Sequence, residues 1–267
     1  MPQRLIYGQA SKLSRTMHAI RYNAVRDEFY VGNPFAQALL TFRGAANGQE
    51  APIRVIQGPK TELESPDTIE VDPVHGELIT PESDRVIVYP VGANGDVAPL
   101  RKFHSPAQNG WRAAGGIAVD PIHNVIVLAG TVLGDAKKGY SSPYGDAREA
   151  LLIFDRTAEG EVQPLRVIRG TQTGMHAIRQ IEIQPKSGWI VISQMTAGFL
   201  PEPEGTYIGA YSVNDNGNLP PRWKIDGKPG HIMKKPHGIA LDPNHKEVVV
   251  ADMRLNALLT FYFPEIF

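Results

Sequence analysis

The sequence predicts an all-β fold: a five-bladed β-propeller with four antiparallel strands per blade. Three observations predict it. A Pro-x-Arg phrase recurs at intervals of about fifty residues, a two-strand phrase follows each copy, and a β-rich run ending in an aromatic residue comes next. No segment sustains a 3.6-residue apolar period, which argues against a helical fold.

The Pro-x-Arg phrase reads PIRVIQG from Pro52, PLRKFHS from Pro99, PLRVIRG from Pro164 and PPRWKIDG from Pro220. The second phrase reads TIEVDPVHGELIT from Thr68, GIAVDPIHNVIVLAG from Gly116, QIEIQPKSGWIVISQ from Gln180 and GIALDPNHKEVVVAD from Gly238, with a degenerate copy, AIRYNAVRDEFYVGN, from Ala19. Its Asp-Pro-x-His punctuation between two β-branched runs makes it a hairpin, the first two strands of a blade. The aromatic-ended run is the third strand: Leu39–Phe42, Val86–Tyr89, Leu151–Phe154, Ile208–Tyr211 and Leu258–Phe261. An Asn-Gly or Glu-Gly turn leads to the Pro-x-Arg phrase as the fourth strand, where an opening proline suits an outer edge.

The blades are expected at 17–58, 66–105, 114–170, 178–227 and 236–267. The last has no Pro-x-Arg phrase of its own, and a copy, PQRLIYG, sits at Pro2–Gly8. The expectation is one domain closed by this N-terminal strand completing the C-terminal blade, which would remove an open edge.

Composition narrows the function classes. In 267 residues, a net charge of −1 gives no electrostatic case for nucleic acid or an anionic membrane. The chain has no cysteine, which excludes disulfides and thiolate chemistry. No apolar run approaches the roughly 18–20 residues that span a bilayer. No leader precedes the first strand, so a cytosolic protein or a trimmed exported one is expected, the compartment staying open. A small-molecule substrate and a monomer are the expected partner and state. GxSxG elbows, phosphate loops and HExxH helices are missing from the sequence.

The stretch PHGIALDPNHKEVVVADMRLNALLTFYF, Pro236–Phe263, resembles an NHL-type repeat. The resemblance covers nearly the whole chain, strongest in blades two, three and five. It implies the propeller fold and leaves function open, because such propellers include interaction modules, lyases and hydrolases. Related calcium-dependent propellers of the gluconolactonase, paraoxonase and diisopropyl-fluorophosphatase types hold a metal in their central funnel. Virginiamycin B lyase is similar in its PHGI-like blade starts. Those propellers have six or seven blades, so no ligand set transfers position for position.

Aligning the copies on Ile20, Ile69, Ile117, Ile181 and Ile239 identifies two positions per blade that face such a funnel. Two residues before the isoleucine stand His18, Asp67, Gly115, Arg179 and His237; thirteen after it stand Asn33, Glu82, Gly130, Gln194 and Asp252. Converging imidazoles and carboxylates suit one divalent ion: zinc, manganese or iron through histidine, calcium through carboxylate and amide oxygens. His18, Asp67, Glu82, His237, Asp252 and Asn33 are the expected metal ligands, with Arg179 as the oxyanion-stabilising group and His18 or His237 as general base. The other reading of these positions is a solvated polar funnel.

The insertion Thr131–Glu149, with Tyr140 and Tyr144, is expected to cover the site at blade three, and Met195–Thr206 makes a shorter excursion in blade four. His75, His123 and His245 fall in hairpin turns away from the site, His104 in an outer strand, and His176 and His231 in connections near the rim. The leading expectation is a metal-dependent hydrolase of a small ester, lactone or phosphoester. The alternatives are a non-catalytic binding propeller and a metal-dependent lyase.

Overall fold

Turn chemistry decides the first two strands of the blades. Asn23 Oδ1 accepts the N–H groups of Val25 and Arg26 at 3.0 and 3.3 Å. Asp72, Asp120 and Asp242 do the same for the second and third residues after them, at 2.9–3.2 Å. The residue closing each turn has a positive φ, for example 50° at Asp27, 69° at Gly76 and 57° at Lys246. That combination reverses the chain into an antiparallel neighbour.

The structure, a computed structural model, describes residues 2–15, 17, 19–133, 141–142, 145–146, 149–196, 201–228 and 232–267. It divides into two compact units, Met1–His104 and Ser105–Phe267. The first unit holds blade one, made of β1 (Ile20–Asn23), β2 (Glu28–Asn33), β3 (Ala38–Arg43) and β4 (Arg54–Gln57), and blade two, made of β5 (Glu70–Asp72), β6 (Glu77–Pro81), β7 (Arg85–Pro90) and β8 (Arg101–His104). Each blade is an antiparallel meander in chain order. In blade one the register runs Ile20↔Val31, Val31↔Leu40 and Leu40↔Val55.

The second unit holds three blades. Blade three comprises β9 (Trp111–Asp120), β10 (Val125–Val132), β13 (Glu149–Asp155) and β15 (Arg166–Ile168). The two-residue strands β11 (Ser141–Ser142) and β12 (Gly145–Asp146) pair with each other inside the insertion, and a short β14 (Gly160–Glu161) precedes β15. Blade four comprises β16 (Ile178–Gln184), β17 (Trp189–Gln194), β18 (Tyr207–Ser212) and β19 (Trp223–Asp226); blade five comprises β20 (Pro236–Asp242), β21 (Glu247–Asp252) and β22 (Ala257–Tyr262). The chain is thus all-β with five propeller blades, as the repeats predict.

Burial explains the apolar runs. In β13, the five residues Ala150–Phe154 are each at most 1% exposed, so both faces of that sheet are covered. Ile181, Ile190, Ile192, Tyr207 and Tyr211 share one cluster with Leu151 and Ile153 of the preceding blade. In the first unit, Tyr30, Leu39 and Ile56 of blade one share a cluster with Ile69, Leu78, Ile87 and Tyr89 of blade two. Burial of each such side chain contributes about 1.5–3 kcal/mol. In blades one and two the arginine of the outer-strand phrase neutralises an acid inside its own blade: Arg54 pairs with Glu28, and Arg101 holds Glu77 with both arms of its guanidinium; in blade three Arg166 donates to Val213 O instead.

Among the described residues blade five has three strands, in the order β20-β21-β22. The N-terminal segment is described within the first unit. Ile6 forms a parallel bridge with Gly48 of blade one; Tyr7 N–H donates to Gly48 O at 2.9 Å and Gly48 N–H to Leu5 O at 2.7 Å. Ile56 with Gly95 and Ile168 with Gly217 make the same bridge. The phrase therefore has two sets of contacts, an antiparallel ladder to its own third strand and a bridge to the next Asn-Gly turn. Among the described residues Pro2–Gly8 makes the second, through Ile6 and Gly48.

Candidate functional site

The positions that end the second strand of a blade act as backbone clamps. Glu82 accepts the N–H groups of Glu64 (3.0 Å) and Ser65 (3.0 Å). Gln194 Oε1 accepts those of His176 (2.9 Å) and Ala177 (3.4 Å), and Asp252 Oδ2 those of Lys234 (2.7 Å) and Lys235 (2.8 Å). In all three blades the partners lie 18 and 17 residues earlier. The clamp fastens the segment that enters the first strand, whose amides would otherwise be buried without partners. Asn33 does related work: its Nδ2 donates to Lys12 O at 2.9 Å and its Oδ1 accepts from Ser14 Oγ at 2.8 Å.

Blade three dispenses with the side chain. There the β9–β10 ladder continues through Gly130↔Ala113 and Thr131↔Arg112, so the backbone supplies the bonds itself. A Cβ on Gly130 would lie 2.5 Å from Arg112 O, which explains the glycine.

These commitments bear on the expected metal ligands. A carboxylate offers about four lone-pair sites. Asp252 uses Oδ2 for Lys234 and Lys235 and Oδ1 for Arg254 and Leu255, both at 3.0 Å. Glu82 is 5% exposed, and burial raises its pKa against the lowering effect of the Glu64 and Ser65 amides. A cation on either residue would strand buried N–H groups at about 1–3 kcal/mol each. Asn33, Glu82 and Asp252 therefore do not fit a divalent-ion site as free donors. Asp67 is half-buried and its N–H donates to Ser65 O at 2.7 Å. His18 lies outside the described residues.

Arg179 and His237 do come together. Arg179 begins the second residue of β16 and His237 the second of β20, in adjacent blades of the same unit. Arg179 Nη2 lies 2.8 Å from His237 Nε2. A guanidinium only donates, so Nε2 must present its lone pair and the imidazole is neutral at that nitrogen. His237 O accepts from Ser193 Oγ at 3.1 Å, which fixes the backbone under the ring. Arg179 is exposed and His237 half-buried, so solvent reaches the pair.

A third group stands behind them. Glu149 opens β13, and its Oε2 accepts the N–H of Ile178, the residue before Arg179, at 2.6 Å. Burial raises the Glu149 pKa, while the Ile178 N–H and the Arg179 charge pull it the other way. Gly116 of β9 lies close against β16, where a Cβ would meet Ile181 Cγ1 at 3.0 Å. In the sequence Glu149 marks only the end of an insertion. Its signal was an acid opening the third strand in the one blade whose two aligned positions are glycines.

The remaining histidines follow simpler rules. His75, His123 and His245 each place Nδ1 2.7 Å from the aspartate that builds their turn. In blade five Glu247 joins Asp242 and His245, with ligand-type atoms within 4.8 Å of one another. The hydrogen bond between them lowers the Asp242 pKa and raises that of His245. This group is at the turn end of the strands, remote in register from Pro236↔Asp252. His176 is half-buried, its pKa lowered by burial, and its Nδ1 meets Gly174 O at 2.9 Å. His104 is in the outer strand β8, as expected, and His231, Tyr140 and Tyr144 lie outside the described residues.

In blade four's excursion Glu202 accepts both arms of Arg254, at 2.6 and 3.0 Å, tying the excursion to blade five. Comparison with protein-family models finds no match, and comparison with curated proteins finds no significant relative.

Proposed function

We propose that this propeller is a hydrolase of a small ester, lactone or phosphoester, with Arg179 and His237 as its reactive pair. The observation that carries the reading is the 2.8 Å contact between Arg179 Nη2 and His237 Nε2 at an exposed strand start. Substrate oxygen entering there competes for the guanidinium donor. As Arg179 turns to that oxygen, the Nε2 lone pair is released to take a proton from water, so binding uncovers the base. The same guanidinium then stabilises the negative charge that develops on the substrate. The likeness of the repeat phrases to NHL-type repeats supports the class without selecting the chemistry.

Engagement of Glu82 by two backbone amides and of Asp252 by four favours a second reading, a binding propeller without catalysis. One experiment separates the two. Purified wild type, His237→Ala and Arg179→Gln are assayed on a panel of esters, lactones and phosphoesters. Turnover that falls in both variants supports the hydrolase. Turnover equal in all three proteins, or none on any compound, sinks it.

A further inference from the structure

We infer that the ligand of the Arg179–His237 site carries a permanent negative charge, as a carboxylate or phosphate group, and that this group docks on the Arg179 guanidinium. The inference rests on the proposed reading of the site and names its substrate class.

Arginine partners carry the argument. Arg21, Arg54, Arg101 and Arg254 are each paired with a glutamate at 3.0 Å or less. Arg179 has no carboxylate within ion-pairing distance among the described residues. Its hydrogen bond goes to the uncharged nitrogen of His237. A guanidinium has five N–H donors in a planar fork that matches carboxylate and phosphate oxygens two at a time. Among the described residues the other four donors of Arg179 meet no protein acceptor, which leaves them for a ligand.

The nearest candidate counter-charge does not fill that role. Glu149 spends Oε2 on the Ile178 N–H, and its burial disfavours the charged form. The Asp252 carboxylate is likewise turned to four backbone amides. Lys234 and Lys235 immediately precede Pro236 and His237, and among the described residues Lys235 meets an acid, Glu202 at 3.5 Å, while Lys234 meets none. The local balance is therefore cationic on a chain whose net charge is −1. A neutral ester would acquire charge only during reaction, whereas a fixed anion gains from this cation already in the bound ground state.

The test is titration of the full-length protein with inorganic phosphate, with acetate, and with methyl acetate as the neutral control, followed by calorimetry and by amide NMR. At least one anion is expected to bind with a dissociation constant on the order of 1 mM, typical of fragments of this size, and methyl acetate not to bind. Which anion binds distinguishes phosphate from carboxylate substrates. Arg179→Gln should weaken binding at least about tenfold, the loss of one charge-assisted contact, while Arg179→Lys keeps part of it. Glu149→Gln keeps an oxygen for the Ile178 N–H and should leave anion binding unchanged, because burial already disfavours the Glu149 charge. Anions that bind Arg179→Gln as well as wild type overturn the inference. So does silence toward both anions in a protein that hydrolyses neutral esters in a His237-dependent way, and in that case the hydrolase reading survives. Arg179-dependent anion binding without turnover upholds the inference and removes the hydrolase.

Discussion

Arg179 Nη2 and His237 Nε2, 58 residues apart in sequence, meet at 2.8 Å because each sits at the start of the first strand of its blade, in neighbouring blades. Two residues that share one hydrogen bond in the resting state should act as a unit in turnover. His237→Ala is expected to lower kcat/KM by about 10²–10⁴, the range for a lost general base, and Arg179→Gln by about 10²–10³, that for a lost oxyanion donor. The double variant should be little worse than His237→Ala alone, because coupled residues are not additive. Steady-state kinetics on the best substrate of the panel checks this; full additivity would show that the two act separately.

The clamps predict large, localised stability losses. Asp252→Ala leaves the amides of Lys234, Lys235, Arg254 and Leu255 without their acceptor. At about 1–3 kcal/mol for each buried N–H left unmet, with some rescued by water, the variant should lose about 3 kcal/mol. Asp252→Asn keeps one acceptor oxygen and should lose less. Urea unfolding measures both. A loss below about 0.5 kcal/mol, the level of an ordinary surface change, would mean that the carboxylate serves something other than the fold.

The blades were legible because the repeat phrases carry their own mechanics: an Asp at Asp72, Asp120 and Asp242 that caps a turn, and an arginine at Arg54 and Arg101 that meets an acid. The register was legible too, since it correctly aligned Glu82, Gln194 and Asp252. Their chemistry was not. A polar side chain that recurs at one end of each blade reads the same whether it faces a ligand or the amides 17 and 18 residues before it. The ambiguity is physical: buried amides and metal ions both demand oxygen donors. Blade three held the clue, because Gly130 replaces the clamp where the ladder itself continues.

Two glutamates predict opposite pH dependence. Burial raises the Glu149 pKa above its unfolded value, so the folded state holds a proton that the unfolded state has released. Stability is therefore fuller below the ordinary carboxylate range and declines as pH rises through the raised value. For Glu28, burial acts upward but is outweighed by hydrogen bonds from Arg54, Arg26 and Tyr30, so its pKa is lowered. Its contribution is present above the ordinary carboxylate range and is lost as pH falls through the lowered value. Denaturation across pH 3–8, a range of about five units around these groups, should show Glu149→Gln flattening the neutral limb and Glu28→Gln the acid limb. Identical profiles for the two variants would contradict the assignment.

A divalent cation is the sequence expectation that the clamps make costly. Asn33, Glu82 and Asp252 already hold protein donors, and a bound ion would release them. EDTA should therefore leave the melting temperature unchanged, and zinc, manganese, iron or calcium should not raise it. A ligand present at 100 times its dissociation constant stabilises by about 2.7 kcal/mol, a shift far outside the error of a thermal melt. Such a shift, with near-stoichiometric metal in the purified protein, would return the funnel-metal reading.

The N-terminal segment offers a test of the repeat itself. Pro2–Gly8 is fastened to blade one by the Tyr7 and Gly48 backbone bonds, by Leu5 N–H to Asn47 Oδ1 at 3.0 Å and by Arg4 to Gly44 O at 2.7 Å. These four bonds are largely exposed, so each contributes near the lower end of about 0.5–1.5 kcal/mol. Ile6 adds partial burial against Val31, Leu40 and Phe42. Deleting residues 1–8 should lower stability by about 2–3 kcal/mol while leaving the far-ultraviolet signature of the blades intact. Gly48→Ala isolates the turn: its φ is +69° and open space surrounds the new methyl, so backbone strain of about 1 kcal/mol is the whole expected effect. Truncation with no loss would mean that the bridge to Gly48 is a contact without energetic consequence. Truncation that unfolds the second unit would mean that the segment also serves blade five.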